Sequence, residues 1–248
     1  MTWTDADAVL RGAGLVVLPA GSTEQHGPHC PLGTDTYTAE HVADRVGDAV
    51  GVVVLPAIPF GVSDHHRQFT GTLWTPPPLY REYVKATLLS AASHGARKFL
   101  IVNGHGGNSP SLREVCEELR RIHGVFAASV NAYPQKMDGH AGRDETSVML
   151  AIRPGLVHME RATDTKQSDG IAGIPMKAQR IEPAEFGWDT ADLSPTGVFG
   201  AAGKTIRPSQ ASKERGTELL EEHIRGIVAL AERLRDAPLS ELLPKPHM

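Results

Sequence analysis

The chain has 248 residues, 40% of them apolar and 22% charged, with a formal net charge of −4. That balance is ordinary for a globular protein, and its scattered basic residues leave no footprint for nucleic acid or an anionic membrane. The apolar runs fall far short of the ~20 residues that span a bilayer. The opening Met1-Thr2-Trp3-Thr4-Asp5 lacks the basic and apolar regions of a secretory signal, so a cytoplasmic protein with no membrane partner is expected.

The first β-rich run is Leu15 to Leu18, followed by Val52 to Leu55, Phe99 to Val102 and Val125 to Val130. Amphipathic stretches near 35–47, 78–94, 109–123 and 208–236 separate or follow them. Such alternation predicts βα units and an α/β fold with a mainly parallel central sheet, in one domain over 1–248. In 109–123, Leu112, Val115, Cys116, Leu119 and Ile122 recur at helical spacing, with Asn108 or Ser109 as cap and Pro110 in the first turn. A further helical pattern begins near Asp144. The segments 56–77 and about 160–207, the latter with Pro175, Pro183 and Pro195, read as long functional loops. Cys30 and Cys116 are expected as free thiols in a reducing compartment.

Twelve histidines are many for this length, and their positions matter more than their number. Ligands of open α/β sheets bind beyond the carboxyl ends of the strands. After the first run comes Gly21-Ser22-Thr23-Glu24-Gln25-His26-Gly27-Pro28-His29, leading to Asp35. Glu24 and His26 are two apart, so in extended chain they point to one side, and Asp35 at the next helix start could bridge two ions. After the third run, Asn103-Gly104-His105-Gly106-Gly107-Asn108 delivers His105, with glycines expected to permit positive φ and close approach. His140 and Glu145 lie before and within the helical pattern near Asp144 and are expected to face the same crevice, one as proton donor and one as ligand. Oxygen and nitrogen donors without cysteine suit an open catalytic site for Zn, Mn or Fe. A phosphate cradle at the Asn103 to Asn108 loop lacks the Gly-Lys-Ser/Thr ending of a P-loop.

With Phe60-Gly61-Val62-Ser63-Asp64-His65-His66 and the His140-Ala141-Gly142 to Ser147 stretch, these segments resemble the creatininase (creatinine amidohydrolase) family, in the family's order over residues 21 to 147. The resemblance implies a three-layer αβα sandwich, a homohexamer, and two divalent metal ions per subunit that serve amide hydrolysis. It implies that Glu24 and His105 hold one ion, His26 the other, and Asp35 bridges them. Creatinine-cleaving members carry a carboxylate two residues after the loop histidine; Gly107 stands there, which argues against creatinine and leaves Glu145 as the best substitute ligand. The Gly-Gly loop is similar to the formamide-hydrolase and mycofactocin-peptidase branches. The substrate implied is a cyclic amide, a formamide or a short peptide.

In such a site His140 is the candidate acid for the leaving nitrogen, and Glu145 either a ligand or the base. His65 and His66 are candidates for substrate contact, His29 for orienting Asp35, and Phe186 and Trp188 for capping the pocket. A non-catalytic metal- or ligand-binding protein on the same scaffold is the competing reading.

Overall fold

A computed structural model describes residues 1–176, 180–181, 184 and 186–245; Pro183 of the late loop lies outside them. In chain order its main elements are α1 (Trp3–Leu10), β1 (Val16–Ala20), α2 (Thr34–Val50), β2 (Val53–Val54), α3 (Pro77–Ser93), β3 (Lys98–Asn103), α4 (Ser109–Ile122), β4 (Phe126–Asn131) and α5 (Arg143–Ile152). The late segment carries β5 (Thr165–Lys166), β6 (Gly170–Ile171), β7 (Ile174–Pro175), the short α6 (Thr190–Leu193) and β8 (Thr205–Ile206). The chain ends with α7 (Lys213–Asp236) and α8 (Leu239–Leu242).

Four parallel strands form the central sheet in the order β2-β1-β3-β4. Successive side chains of a strand face opposite sides, and here both sides are apolar. Val16, Leu18, Phe99 and Ile101 pack on one face with Tyr80, Val84 and Leu88 of α3 and Leu112, Val115 and Leu119 of α4. Leu15, Val17, Leu100 and Val102 pack on the other with Val42 and Val46 of α2, Val148 of α5 and Leu220, Ile224 and Ile227 of α7. The result is the expected αβα sandwich. Each fully buried Leu or Ile in these layers contributes roughly 2 kcal/mol of transfer free energy.

The expected sheet runs all form strands, displaced by about one residue. The run around Val52 to Leu55 is the exception in length: only Val53 and Val54 pair as a strand, after which Leu55 N still donates to Val17 O at 2.8 Å. The last long helix, expected from about residue 208, begins at Lys213, because Pro208–Gln210 forms a separate 3-10 turn before the Ser212 cap. Asn108 makes no side-chain cap bond to α4. Its amide instead accepts from Val62 N at 2.9 Å and donates to Gly21 O at 3.0 Å, tying the loops after β1, β2 and β3 together. Among the described residues no helix is long and apolar enough to cross a membrane.

Candidate metal centre

Ala20, Asn103 and Asn131 are in register at the carboxyl ends of β1, β3 and β4, so the segments that follow open onto one crevice. The loop after β1 is held by Gly21 N donating to Ile58 O (2.9 Å), Glu24 N to Leu32 O (2.9 Å) and Leu73 N to Thr23 O (2.9 Å). This pinning turns Glu24 and His26 inward, where both are buried. Asp35 occupies the first turn of α2, where the exposed backbone N–H groups of a helix favour negative charge. His105 follows β3. Gly104, Gly106 and Gly107 are absent from the positive-φ positions, so Gly104 and Gly107 serve close approach, a Cβ on Gly104 overlapping the Asp35 carbonyl, whereas one on Gly106 would meet open space.

Asp35 stands between two imidazoles. Its Oδ1 is 3.1 Å from His26 Nε2 and its Oδ2 is 3.1 Å from His105 Nδ1. Glu24 Oε2 lies 3.1 Å from His105 Nδ1, and Glu145 Oε2 lies 3.7 Å from His26 Nε2. On the far side of Glu24, Oε1 faces His66 Nε2 at 3.3 Å and His140 Nδ1 at 3.9 Å. Three donor groups therefore converge: Glu24, Asp35 and His105; His26, His140 and Glu145; Glu24, His66 and His140.

Burial disfavours charge on every one of these groups, yet the carboxylates overcome it at two histidines. Burial pulls His26 down, but Asp35, Glu145 and Glu24 together raise it to about 9. His105 is likewise raised well above its usual range by Glu24 and Asp35 against burial, and those two histidines hold Asp35 ionised although burial opposes it. Glu145 is pushed up to about 7, chiefly by burial. The crevice thus demands positive charge, and histidine protons meet that demand where cations would. Glu24 Oε2, Asp35 Oδ2 and His26 Nε2 are buried and have no well-angled hydrogen-bond partner, only the close imidazole–carboxylate approaches given above. Buried polar atoms are ordinarily satisfied, and lone pairs converging without donors are what cation ligation uses. The residues fit divalent metal.

His140 and His66 belong to the same crevice but stay neutral: burial and neighbouring histidines hold both well below the ordinary range. The remaining wall is aromatic. The His65 ring stacks on His105 with centroids 5.8 Å apart and meets Trp188 edge-on at 5.2 Å. Phe199 stacks on His140 at 4.9 Å and meets Trp188 at 5.6 Å. Together with Phe186 and Tyr133 they border a cavity of about 610 Å³.

Of the residues singled out from the sequence, Glu24, Asp35, His65, His66, His105, His140, Glu145, Phe186 and Trp188 all line this cavity, and His26 lies directly beneath it, against Asp35 and Glu145. His29 does not line it. Its Nε2 pairs with Thr146 Oγ1 at 2.8 Å rather than with Asp35, because Gly27, with φ +63°, turns the chain away after His26. Sequence reasoning missed Tyr133, Thr190, Phe199 and the part played by Gln25. Gln25 alone carried a signal, its place between Glu24 and His26.

A family model described as Creatininase: Creatinine amidohydrolase matches residues 1–231. Over 235 residues the chain is 32% identical to the mycofactocin precursor peptide peptidase of Mycobacterium ulcerans (strain Agy99), covering 90% of this chain and 86% of that one. It is 28% identical over 258 residues to the creatinine amidohydrolase of Pseudomonas putida, covering 92% of each. A solved mutant creatininase of the Zn-Zn type superposes with a TM-score of 0.75 at 25% identity, over 96% of this chain and 97% of that one. Fold and kinship make this protein a hydrolase of carbon–nitrogen bonds. It belongs to the creatininase family.

Proposed function

We propose that the protein is a two-metal amidohydrolase in which Glu24, His26, Asp35, His105 and Glu145 hold two divalent cations, Zn, Mn or Fe, and that it cleaves an amide in a small molecule or a short peptide. The observation that carries this reading is Asp35, whose two carboxylate oxygens each face a different buried imidazole at 3.1 Å. One carboxylate thus addresses two donor groups, Glu24 with His105 on one side and His26 with Glu145 on the other. Two bound cations would supply a water of lowered pKa and polarise the substrate carbonyl.

The protein's own groups then divide the proton work. His140 is neutral and turns Nδ1 toward Glu24, so this nitrogen accepts a proton as water attacks and returns it to the leaving nitrogen. Glu145, pushed up to about 7, completes the donor group around His26. Ala141 N donates to Glu145 Oε2 at 2.6 Å and holds its carboxyl in place. His65, Phe186 and Trp188 border the mouth and contact the substrate. Gly107 argues against creatinine as substrate, and the 32% likeness to a peptide peptidase supports a short peptide. A homo-oligomer, taken as a hexamer, accords with exposed Phe60, Leu73, Trp74, Leu79 and Tyr83 on the proline-rich loop and the first turns of α3.

Metal analysis after loading tests the reading. About two ions per chain are expected in the native sequence, none in Asp35→Ala, and an unchanged count with lost turnover in His140→Ala. A count of one or fewer in the native sequence would favour a non-catalytic scaffold, and metal loss in His140→Ala would make His140 a ligand instead of an acid.

A further inference from the structure

The buried carboxamide of Gln25 touches both neutral histidines of the crevice, and its orientation is fixed at both ends. Its Oε1 accepts from Gly27 N at 2.9 Å, and a backbone N–H can only donate. Its Nε2 lies 3.1 Å from Gly197 O, and a carbonyl can only accept. The amide oxygen and nitrogen are therefore assigned by their partners rather than by choice.

The tautomers of the two rings follow. His140 Nε2 lies 2.8 Å from the Gln25 backbone carbonyl, so it carries a hydrogen and donates, which turns Nδ1 toward Glu24 and the crevice. Because that Nε2 is already a donor, it cannot accept from Gln25 Nε2 despite their 2.9 Å separation. Gln25 Nε2 has two hydrogens: one goes to Gly197 O and the other to His66 Nδ1, at 2.9 Å. His66 Nδ1 is thus an acceptor, also reached by the Thr190 hydroxyl at 2.8 Å, and the proton of this neutral ring sits on Nε2, 3.3 Å from Glu24 Oε1.

We propose that Gln25 is a positioning residue that sets the same Nε2-protonated tautomer on two histidines of the centre, leaving His140 Nδ1 free to take a proton and making His66 a donor to Glu24 rather than a metal ligand. Of the three donor groups, the one containing Glu24, His66 and His140 is thereby removed as a cation site, and Glu24 Oε1 is held by a hydrogen bond. Such hydrogen bonds to a ligating carboxylate orient it and tune the metal. Gly197, at φ +81°, belongs to the same device, since a Cβ there would overlap the Gln25 carboxamide. The His66 tautomer and the hydrogen on His140 Nε2 stand on hydrogen-bond geometry alone; that His140 Nδ1 is bare and takes up a proton rests on the hydrolase reading.

Nitrogen-15 NMR of the zinc-loaded protein, with histidine ring nitrogens labelled, tests this without a substrate. The expected spectrum has a bare Nδ1 and protonated Nε2 on both His66 and His140. Gln25→Glu replaces the donating nitrogen with an oxygen, so His66 should transfer its hydrogen to Nδ1, whereas Thr190→Val should leave its tautomer unchanged. A His66 that is protonated at Nδ1 or metal-shifted at Nε2 in the native sequence overturns the assignment. A tautomer that changes in Thr190→Val but not in folded Gln25→Glu gives the role to Thr190. If Gln25→Glu does not fold, the native spectrum and Thr190→Val still decide. Zinc content measured on the same samples separates these outcomes from failure of the two-metal reading.

Discussion

Gly107 lies so close to the carbonyl oxygen of Val62 that a Cβ built on it would overlap that oxygen, and the His105 ring as well. His105 Nε2 is itself paired with the same carbonyl at 2.8 Å, so neither neighbour can yield without moving a residue of the centre. The position at which creatinine-cleaving relatives are expected to carry a carboxylate is therefore closed by packing. Gly107→Glu should lower stability by roughly 2 kcal/mol, the usual scale of overpacking, and should not confer creatinine hydrolysis. A thermal melt and a creatinine assay check both halves. An unchanged melting temperature with new creatinine turnover would show that the loop after β2 accommodates the side chain and that substrate choice is set elsewhere.

Acid should destabilise the fold partly through His29. Burial, and secondarily the charge on His26, lower this imidazole from 6.5 to about 4. Between those values the unfolded chain binds a proton that the folded chain refuses, so stability rises with pH there. The contribution is fully present above 6.5, is lost as pH falls through 6.5 toward 4, and amounts to about 3 kcal/mol at most. In denaturant titrations across pH 4 to 7.5, His29→Gln should therefore lose less stability than the native sequence on acidification. Parallel curves for the two proteins would assign the acid sensitivity to other groups.

Both cysteines should be silent toward thiol reagents in the folded protein. Burial pushes Cys30 and Cys116 each up to about 12, and the thiolate is the reactive form. At pH 8 the ionised fraction is on the order of one in ten thousand. A colorimetric thiol assay should register nothing over minutes in buffer and two thiols per chain in denaturant. Rapid reaction of one thiol without denaturant would reveal local opening around it.

The fold was legible because the sheet is buried on both faces, so continuous apolar runs such as Phe99 to Val102 mark strands without ambiguity. The ligand candidates were legible for a related reason: Glu24, His26, Asp35 and His105 all lie just past β1 and β3, where an open sheet presents its ligands. What could not be read was pairing across distance. Tyr133, which shares a hydrogen bond with Thr38 at 3.0 Å, and Thr190, which reaches His66 across more than a hundred residues, leave no local pattern. His29 sits in the motif as prominently as His26, and only the turn at Gly27 separates their destinations. The expectation that Asn108 caps α4 failed because the same amide finds better partners in two neighbouring loops.

The aromatic mouth should depend on one forked ion pair. Arg67 donates from Nη1 to Asp189 Oδ1 at 2.6 Å and from Nη2 to Asp189 Oδ2 at 2.5 Å, with Gln68 Nε2 adding a third bond to Oδ2 at 2.6 Å. Asp189 follows Trp188 directly and opens α6, while Arg67 follows the turn that carries His65 and His66. The pair therefore fastens the Trp188 segment to the turn beneath it. Because Arg67 is about half exposed, the pair is worth on the order of 1 kcal/mol, and salt weakens it. With Trp3 and Trp74 replaced by Phe, acrylamide quenching reports Trp188 alone among the three tryptophans. Quenching should rise in Arg67→Ala and partly in Arg67→Lys, which keeps the charge but loses the planar fork. It should also rise with salt in the parent protein and not in Arg67→Ala. Equal quenching in all three proteins would mean that packing of Trp188 on Phe199 and His65 holds the segment without the ion pair.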